Sequence, residues 1–224
     1  MTENKHAQAL DVNDALNKSE AFVVKNKKAL IGTVVAIILI IGGFLLYKHF
    51  VSGPREEKAS TLLAKGQEYF ATNNYEKALN GDGAGYIGFI KLMNEYSGTD
   101  AANLAKLYSG LTYAQMGKAQ EAIKNLEEFS TSDDQLISPA AIAALGNCYA
   151  KAGQVDKAIT TLKKAADKAN NYSLSPIFLI QAGELLESQK KLDEAKACYQ
   201  EVKDKYYQSE LSQEIDKYIE RVSK

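Results

Sequence analysis

Hydrophobic residues follow two different patterns along the chain. From residue 29 to residue 47 they form one run that contains no charged residue. From residue 59 onward, apolar residues recur every three or four positions between charged ones, which is the pattern of amphipathic helices. No segment has the strict alternation of apolar and polar residues that is typical of strands. The sequence therefore predicts an all-α protein in which one apolar helix precedes a series of amphipathic helices.

The amphipathic part repeats itself. A glycine is followed three residues later by Tyr or Leu and twelve residues later by Ala, and a turn signal precedes the tetrapeptide that ends in this Ala. The four copies are Gly66/Tyr69/Ala78, Gly110/Tyr113/Ala122, Gly146/Tyr149/Ala158 and Gly183/Leu186/Ala195. The small residues allow two helices to pack closely, so each copy predicts a helix–turn–helix hairpin. A chain of such hairpins is usually a scaffold with a groove and seldom an enzyme.

The spacing of the copies predicts where each unit begins and ends. The units are 59–102, 103–138, 139–175 and 176–208, and a C-terminal capping helix occupies 209–224. The first interval between glycines is 44 residues, against 36 and 37 for the next two. The extra residues lie in the Gly-rich stretch 80–85, which we expect to interrupt the second helix of the first unit. The predicted apolar face of the capping helix consists of Leu211, Ile215, Ile219 and Val222.

This pattern resembles the tetratricopeptide repeat, whose period is about 34 residues. The Leu-Gly pair of that repeat is present at Leu145-Gly146, and its closing proline falls at Pro139 and Pro176. The consensus Trp is absent, and its positions hold Leu62, Lys106, Ile142 and Leu179. The resemblance covers residues 59 to about 205. It implies an α-solenoid of about four hairpins that binds other proteins.

The uncharged run predicts a membrane-spanning helix. Nineteen residues at about 1.5 Å each span roughly 28 Å, the thickness of the hydrocarbon core. We expect a cytoplasmic tail at 1–28, a transmembrane signal anchor at 29–47 and a linker at 48–58. A cleaved signal peptide is the alternative, but the preceding region is long and no small-residue cleavage site follows. Lys25, Lys27 and Lys28 precede the run, so the positive-inside rule places the repeats outside the cytoplasm.

The tail ahead of the membrane helix carries apolar residues of its own. Leu10, Leu16 and Phe22 are spaced so that the tail can form an amphipathic helix leading to the membrane. Two interpretations stay open from the sequence. The tail is either a partly ordered tether or a contact surface for the membrane or a partner.

The residues needed for catalysis or metal binding are scarce. The two histidines are His6 in the tail and His49 at the end of the apolar run, so the repeats have none. Cys148 and Cys198 lack the spacing of a metal site, and we expect two buried apolar residues that do not touch. Gly83, in a G-x-G-x-x-G string, has no strand before it, which favours a loop over a dinucleotide site. We therefore predict no enzyme activity, no cofactor, no metal and, from the balanced charge, no nucleic acid partner.

The first helices of the units supply the predicted partner surface. In this repeat family the inner surface comes largely from the first helix of each hairpin. The candidate partner-binding residues are Leu104, Leu107, Leu111, Gln115, Asn147, Lys151, Ile180 and Glu184. The surface is apolar in the second unit, which suits an amphipathic helix or a non-native segment. The alternative is that Leu104 and Leu107 pack against the first unit and face no partner.

The layout as a whole is similar to that of the bacterial ancillary subunit of the Sec translocon. The likeness rests on Lys25 to Tyr47 followed by the repeats. It implies an inner-membrane protein with one span, a periplasmic repeat domain, and the SecYEG channel and periplasmic chaperones as partners. Two alternatives stay open: a scaffold of another envelope complex (outer-membrane assembly, cell-wall synthesis or secretion), and a eukaryotic outer-mitochondrial import receptor.

Overall fold

Helices account for the regular secondary structure in residues 20–223, which are the residues that the computed structural model describes. This confirms the all-α prediction. Residues 20–25 are helical, whereas the predicted tail contact around Leu10 and Leu16 lies outside the described residues. The helices that follow are α1 (Lys27–Tyr47), α2 (Gly53–Ala71), α3 (Tyr75–Asn80), α4 (Phe89–Glu95), α5 (Asp100–Gln115), α6 (Ala119–Glu127), α7 (Ile137–Lys151), α8 (Val155–Ala169), α9 (Ser175–Ser188), α10 (Leu192–Lys205) and α11 (Ile215–Arg221).

The chain divides into two compact units at Pro54 and Arg55. In the first unit, α1 contains no buried residue, and it is long and apolar enough to cross a membrane. The stretch 48–58, predicted as a linker, is helical. It consists of a π-helical segment, Lys48–Ser52, and the first residues of α2.

The second unit is built of helical hairpins joined by equivalent turns. The pairs are α2–α3, α5–α6, α7–α8 and α9–α10, and one residue in each turn has a left-handed backbone. These residues are Asn73 (φ 59°), Gly117 (φ 75°), Gly153 (φ 76°) and Lys190 (φ 59°). Each lies seven residues after the repeat glycine. The four turns therefore occur where the repeat predicts them, in a conformation that glycine adopts at the lowest cost.

Lys190 is the least suitable of these four turn residues, because a long side chain on a left-handed backbone is strained. We expect Lys190→Gly to raise the free energy of unfolding by about 0.5–1 kcal/mol, since the exposed lysine side chain forms no hydrogen bond or ion pair with the described residues. Thermal melts of the fragment Arg55–Lys224 measure this effect. The reciprocal change Gly153→Lys should destabilise by a similar amount. An unchanged melting temperature in both variants would contradict the assignment of this turn.

The repeat glycines lie where the helices of a hairpin approach most closely. A Cβ atom on Gly110 would lie 2.5 Å from Cγ of Leu126, and one on Gly146 would lie 3.0 Å from Cγ of Leu162. Both leucines lie four residues after the repeat alanine. All four repeat alanines are fully buried: Ala78, Ala122, Ala158 and Ala195. The Gly–Ala pattern therefore specifies the packing of each hairpin.

The Gly-rich insertion completes the first hairpin. Helix α3 ends at Asn80, and α4 begins at Phe89 after a loop in which Gly81, Gly83, Gly85 and Gly88 have positive φ. Tyr86 and Phe89 fill the space over Gly66, where a Cβ would lie 2.3 Å from Phe89 Cε1. The Asp82 carboxylate accepts hydrogen bonds from the Ala84 and Tyr86 N–H groups and from the Tyr69 hydroxyl. The loop thus replaces the leucine that the second and third units place over their glycine.

The C-terminal cap is a broken helix. A 3₁₀ turn, Glu210–Gln213, precedes α11, so the segment is not continuously helical as its periodicity predicts. Ile215 and Val222 are buried as expected, whereas Leu211 is 39% exposed. Arg221 donates to both carboxylate oxygens of Glu187, and Glu187 also accepts from the hydroxyl of the buried Tyr199. These bonds fasten the cap to the fourth hairpin.

Candidate functional site: an apolar groove on the first helices

An apolar groove lies along the first helices of the second and third hairpins, α5 and α7. Its volume is 470 Å³. The residues that line it are Gln67, Leu104, Leu107, Tyr108, Leu111, Leu136, Ile137, Ala140, Ala141 and Leu174. None of them is charged, and most are aliphatic. We call this surface the apolar groove.

The side chains of the apolar groove differ in how far they reach solvent. Leu107 is 7% exposed and belongs to the core shared by the second and third hairpins. Leu104 and Leu111 are half-buried. Leu136 and Ile137 are 64% and 53% exposed. The first three residues therefore form the floor, and the last two offer apolar surface to a partner, which is uncommon for large aliphatic side chains in one place.

The exposed pair is held in position by one carboxylate. Asp134 Oδ1 accepts from the backbone N–H of Leu136 at 2.9 Å and of Ile137 at 2.6 Å. Its Oδ2 accepts from the Ser138 hydroxyl at 2.5 Å. Asp134 thus caps the start of α7, where the helix dipole also favours a negative charge. The Ser138 hydrogen bond is the main reason that the pKa of this carboxyl lies well below its usual range.

The next hairpin repeats this arrangement. Asn171 Oδ1 accepts from the N–H groups of Ser173 and Leu174, and Ser175 precedes a buried Pro176 as Ser138 precedes Pro139. The Asn171 amide also donates to the carbonyl of Gln135 at 2.9 Å. The loop that carries Leu136 is therefore fixed from both sides, so the apolar surface is formed before any partner binds.

The Asp134 cap predicts how stability depends on pH. Its folded pKa is lowered, so its contribution is present above the unfolded pKa of about 4 and is lost as the pH falls below that value. We expect Asp134→Asn to lower the free energy of unfolding by about 1 kcal/mol at pH 6, because Asn lacks the charge that strengthens these hydrogen bonds. This gap between the wild type and the variant should shrink by pH 3. Urea unfolding at the two pH values measures this gap. A gap that does not change with pH would exclude the carboxylate as its source.

The structure distributes the eight predicted partner residues over more than one surface. Leu104, Leu107 and Leu111 line the apolar groove, although Leu107 is largely buried, as the alternative interpretation expects. Ile180 is 8% exposed and lines a different groove. The four polar candidates, Gln115, Asn147, Lys151 and Glu184, are exposed and line neither groove. Their role in binding stays a prediction.

The predicted partner residues leave out the exposed edge of the apolar groove. Leu136, Ile137 and Leu174 lie at or before the start of a first helix, outside the inner positions of the repeat. The sequence does contain a signal for these positions, because Asp134 and Asn171 each precede a Ser-Pro pair by four residues. That spacing marks a helix start, and it places Ile137 and Leu174 at equivalent positions.

The groups capable of chemistry are dispersed. Cys148 and Cys198 are buried free thiols in different core clusters, and burial raises the pKa of each. Within residues 20–223, no three His, Cys, Asp or Glu side chains come together as metal ligands.

The comparison with known proteins agrees with the hairpin architecture. Residues 20–222 match the family described as tetratricopeptide repeat-like domain. No curated protein matches the chain. The match covers α1 as well as the hairpins and the cap.

Proposed function

The chain belongs to the tetratricopeptide repeat-like domain family, and from this premise we propose that it is a membrane-anchored scaffold that binds an apolar segment of another protein in the apolar groove. A repeat domain of this kind suggests protein interaction as its function. The observation that carries the proposal is the exposure of Leu136 and Ile137 on a loop fixed by Asp134 and Asn171. A rigid apolar surface binds with little ordering cost.

The anchor is the second part of the proposal. Helix α1 carries no charged residue from Ala29 to Tyr47 and is long enough to span a bilayer, which supports a single-pass protein. Tethering to a membrane raises the local concentration of the repeats near other membrane proteins. Within this role, we propose an inner-membrane protein with periplasmic repeats that links the SecYEG channel to periplasmic chaperones, because the layout is similar to that of the ancillary translocon subunit.

The orientation has a direct test. Lys25, Lys27 and Lys28 precede the span, so we expect Lys224 to be extracytoplasmic, and alkaline phosphatase fused after Lys224 to be active in bacteria. Replacing all three lysines with Gln should give a mixture of orientations, because Lys48, Arg55 and Lys58 then carry the nearest positive charge. A fusion that is well expressed but inactive would contradict the proposed orientation.

Affinity purification in mild detergent tests the partner. We compare the wild type with two double variants. The groove variant combines Leu136→Ser with Ile137→Ser. The control variant combines Lys124→Ser with Thr160→Ser, at exposed positions of second helices. We expect the groove variant alone to lose its partners, by about tenfold. Loss of SecYEG or periplasmic chaperones supports the translocon role, and loss of outer-membrane or cell-wall proteins supports the other envelope scaffold. Equal recovery by all three proteins would reject the groove as the binding site.

A further inference from the structure

A second groove lies at the C-terminal end of the solenoid, beside the start of α9 and the 3₁₀ turn of the cap. Its volume is 660 Å³, and Ile177, Ile180 and Leu211 form its apolar part. Ile177 and Leu211 are 38% and 39% exposed. We call this surface the C-terminal groove. It differs from the apolar groove because its lining includes a charged residue, Glu210.

The aromatic side of the C-terminal groove is preorganised. Tyr172 lines the groove and meets the rings of Tyr206 and Tyr207 edge-on, with centroids 6.1 Å and 6.3 Å away. The ring remains 44% exposed. Tyr218 lines the groove as well, but its ring is already occupied by the Arg221 guanidinium at 4.8 Å. Tyr172 is therefore the ring on which a cation from outside can stack.

The charge of the C-terminal groove is negative. Glu210 is the one charged residue in its lining, and its carboxylate forms neither an ion pair nor a hydrogen bond among the described residues. Three basic side chains of α10 and the cap are engaged in ion pairs of their own. Lys203 pairs with Asp216, Lys217 with Glu214, and Arg221 with Glu187. A basic group from a partner is thus the complement that this groove lacks.

From these observations we propose that the C-terminal groove is a second docking site, for a polypeptide segment in which a large apolar side chain is flanked by lysine or arginine. The apolar side chain contacts Ile177 and Leu211, and the basic group pairs with Glu210 and stacks on Tyr172. This site is separate from the one in the proposed function, because the two grooves share no lining residue. A partner that uses both grooves would be held in one direction, with its basic end toward the cap.

The test selects peptides from a random library displayed on phage, using the full chain immobilised in detergent micelles. We expect enrichment of sequences with Lys or Arg next to a large apolar residue. Synthetic versions of the selected peptides are then measured by fluorescence anisotropy. Glu210→Gln should weaken their binding by about three- to tenfold, as expected for one partly desolvated ion pair. Glu220→Gln, an exposed acid of the same cap, should leave their binding unchanged.

Each result decides for or against the C-terminal groove. Peptides without a basic residue, or peptides weakened equally by Glu210→Gln and Glu220→Gln, would overturn the proposal. Peptides that are insensitive to Glu210→Gln but lost on Leu136→Ser, Ile137→Ser would support the apolar groove and reject the second site. Leu211→Lys gives an independent check, because it places a positive charge in the groove and should abolish binding of the basic peptides.

Discussion

Gly110→Ala is expected to destabilise the protein by about 1–3 kcal/mol, despite replacing glycine with the best helix-forming residue. The new methyl group would lie 2.5 Å from Cγ of Leu126 and 3.2 Å from the Ala122 carbonyl oxygen. Leu126 is buried, so its branch point cannot move without displacing the next hairpin. For a domain of this size, 2 kcal/mol lowers the melting temperature by about 4–8 °C.

Gly146→Ala is the matched control, because it changes the same repeat position in the next hairpin. Its Cβ would lie 3.0 Å from Cγ of Leu162, so a shift of a few tenths of an ångström relieves the contact. The gain in helix propensity, up to about 1 kcal/mol, then offsets most of the strain. Gly146→Leu, in contrast, should lower the free energy of unfolding by about 1–3 kcal/mol or more, which is the cost typical of an overpacked core. If thermal melts ranked the two alanine variants the other way, the hairpin packing described above would be wrong.

Leu107→Asp is expected to unfold the repeat domain. Leu107 is 7% exposed and packs in the core between the second and third hairpins. An aspartate there would bury a charge with no partner, at a cost of several kcal/mol, which is a large part of the stability of a typical domain. Circular dichroism of the fragment Arg55–Lys224 measures the loss of helix.

Leu136→Asp introduces the same residue at the exposed edge of the same groove. We expect its circular dichroism spectrum to match that of the wild type and its free energy of unfolding to stay within about 0.5 kcal/mol of the wild-type value, since exposed substitutions rarely cost more. A folded Leu107→Asp protein would mean that Leu107 faces solvent. An unfolded Leu136→Asp protein would mean that the edge is part of the core.

The hairpins were predictable because each depends on a local pattern that repeats. A glycine, an alanine twelve residues later and a turn between them define one close helix contact, and the same signs recur four times. The turns at Gly117 and Gly153 lie where the pattern puts them. The insertion was predicted as an interruption of a helix. The packing role of the insertion was not predicted. Tyr86 and Phe89 pack on Gly66 through a loop, and the path of that loop depends on four positive φ angles.

The candidate site was predictable only in part, since exposure depends on contacts between hairpins. The period places Leu104, Leu107 and Leu111 on one helix face, and all three line the groove. It does not distinguish the buried Leu107 from its half-buried neighbours, because both faces of a first helix in a solenoid pack against other hairpins. Leu136 and Ile137 fall at the end of the second predicted unit, outside the inner positions of the repeat, so the period alone does not mark them.

The central claim is that the apolar groove contacts a partner protein in the cell, and site-specific photocrosslinking tests it most directly. A photoreactive amino acid replaces Leu136 in the full chain, and in a separate protein it replaces Thr160, an exposed residue on the second helix α8. Our account predicts a discrete crosslinked product from position 136 that is absent from position 160 and is lost when Ile137→Ser is added. Equal products from both positions, or none from position 136 in a folded, membrane-bound protein, would contradict it.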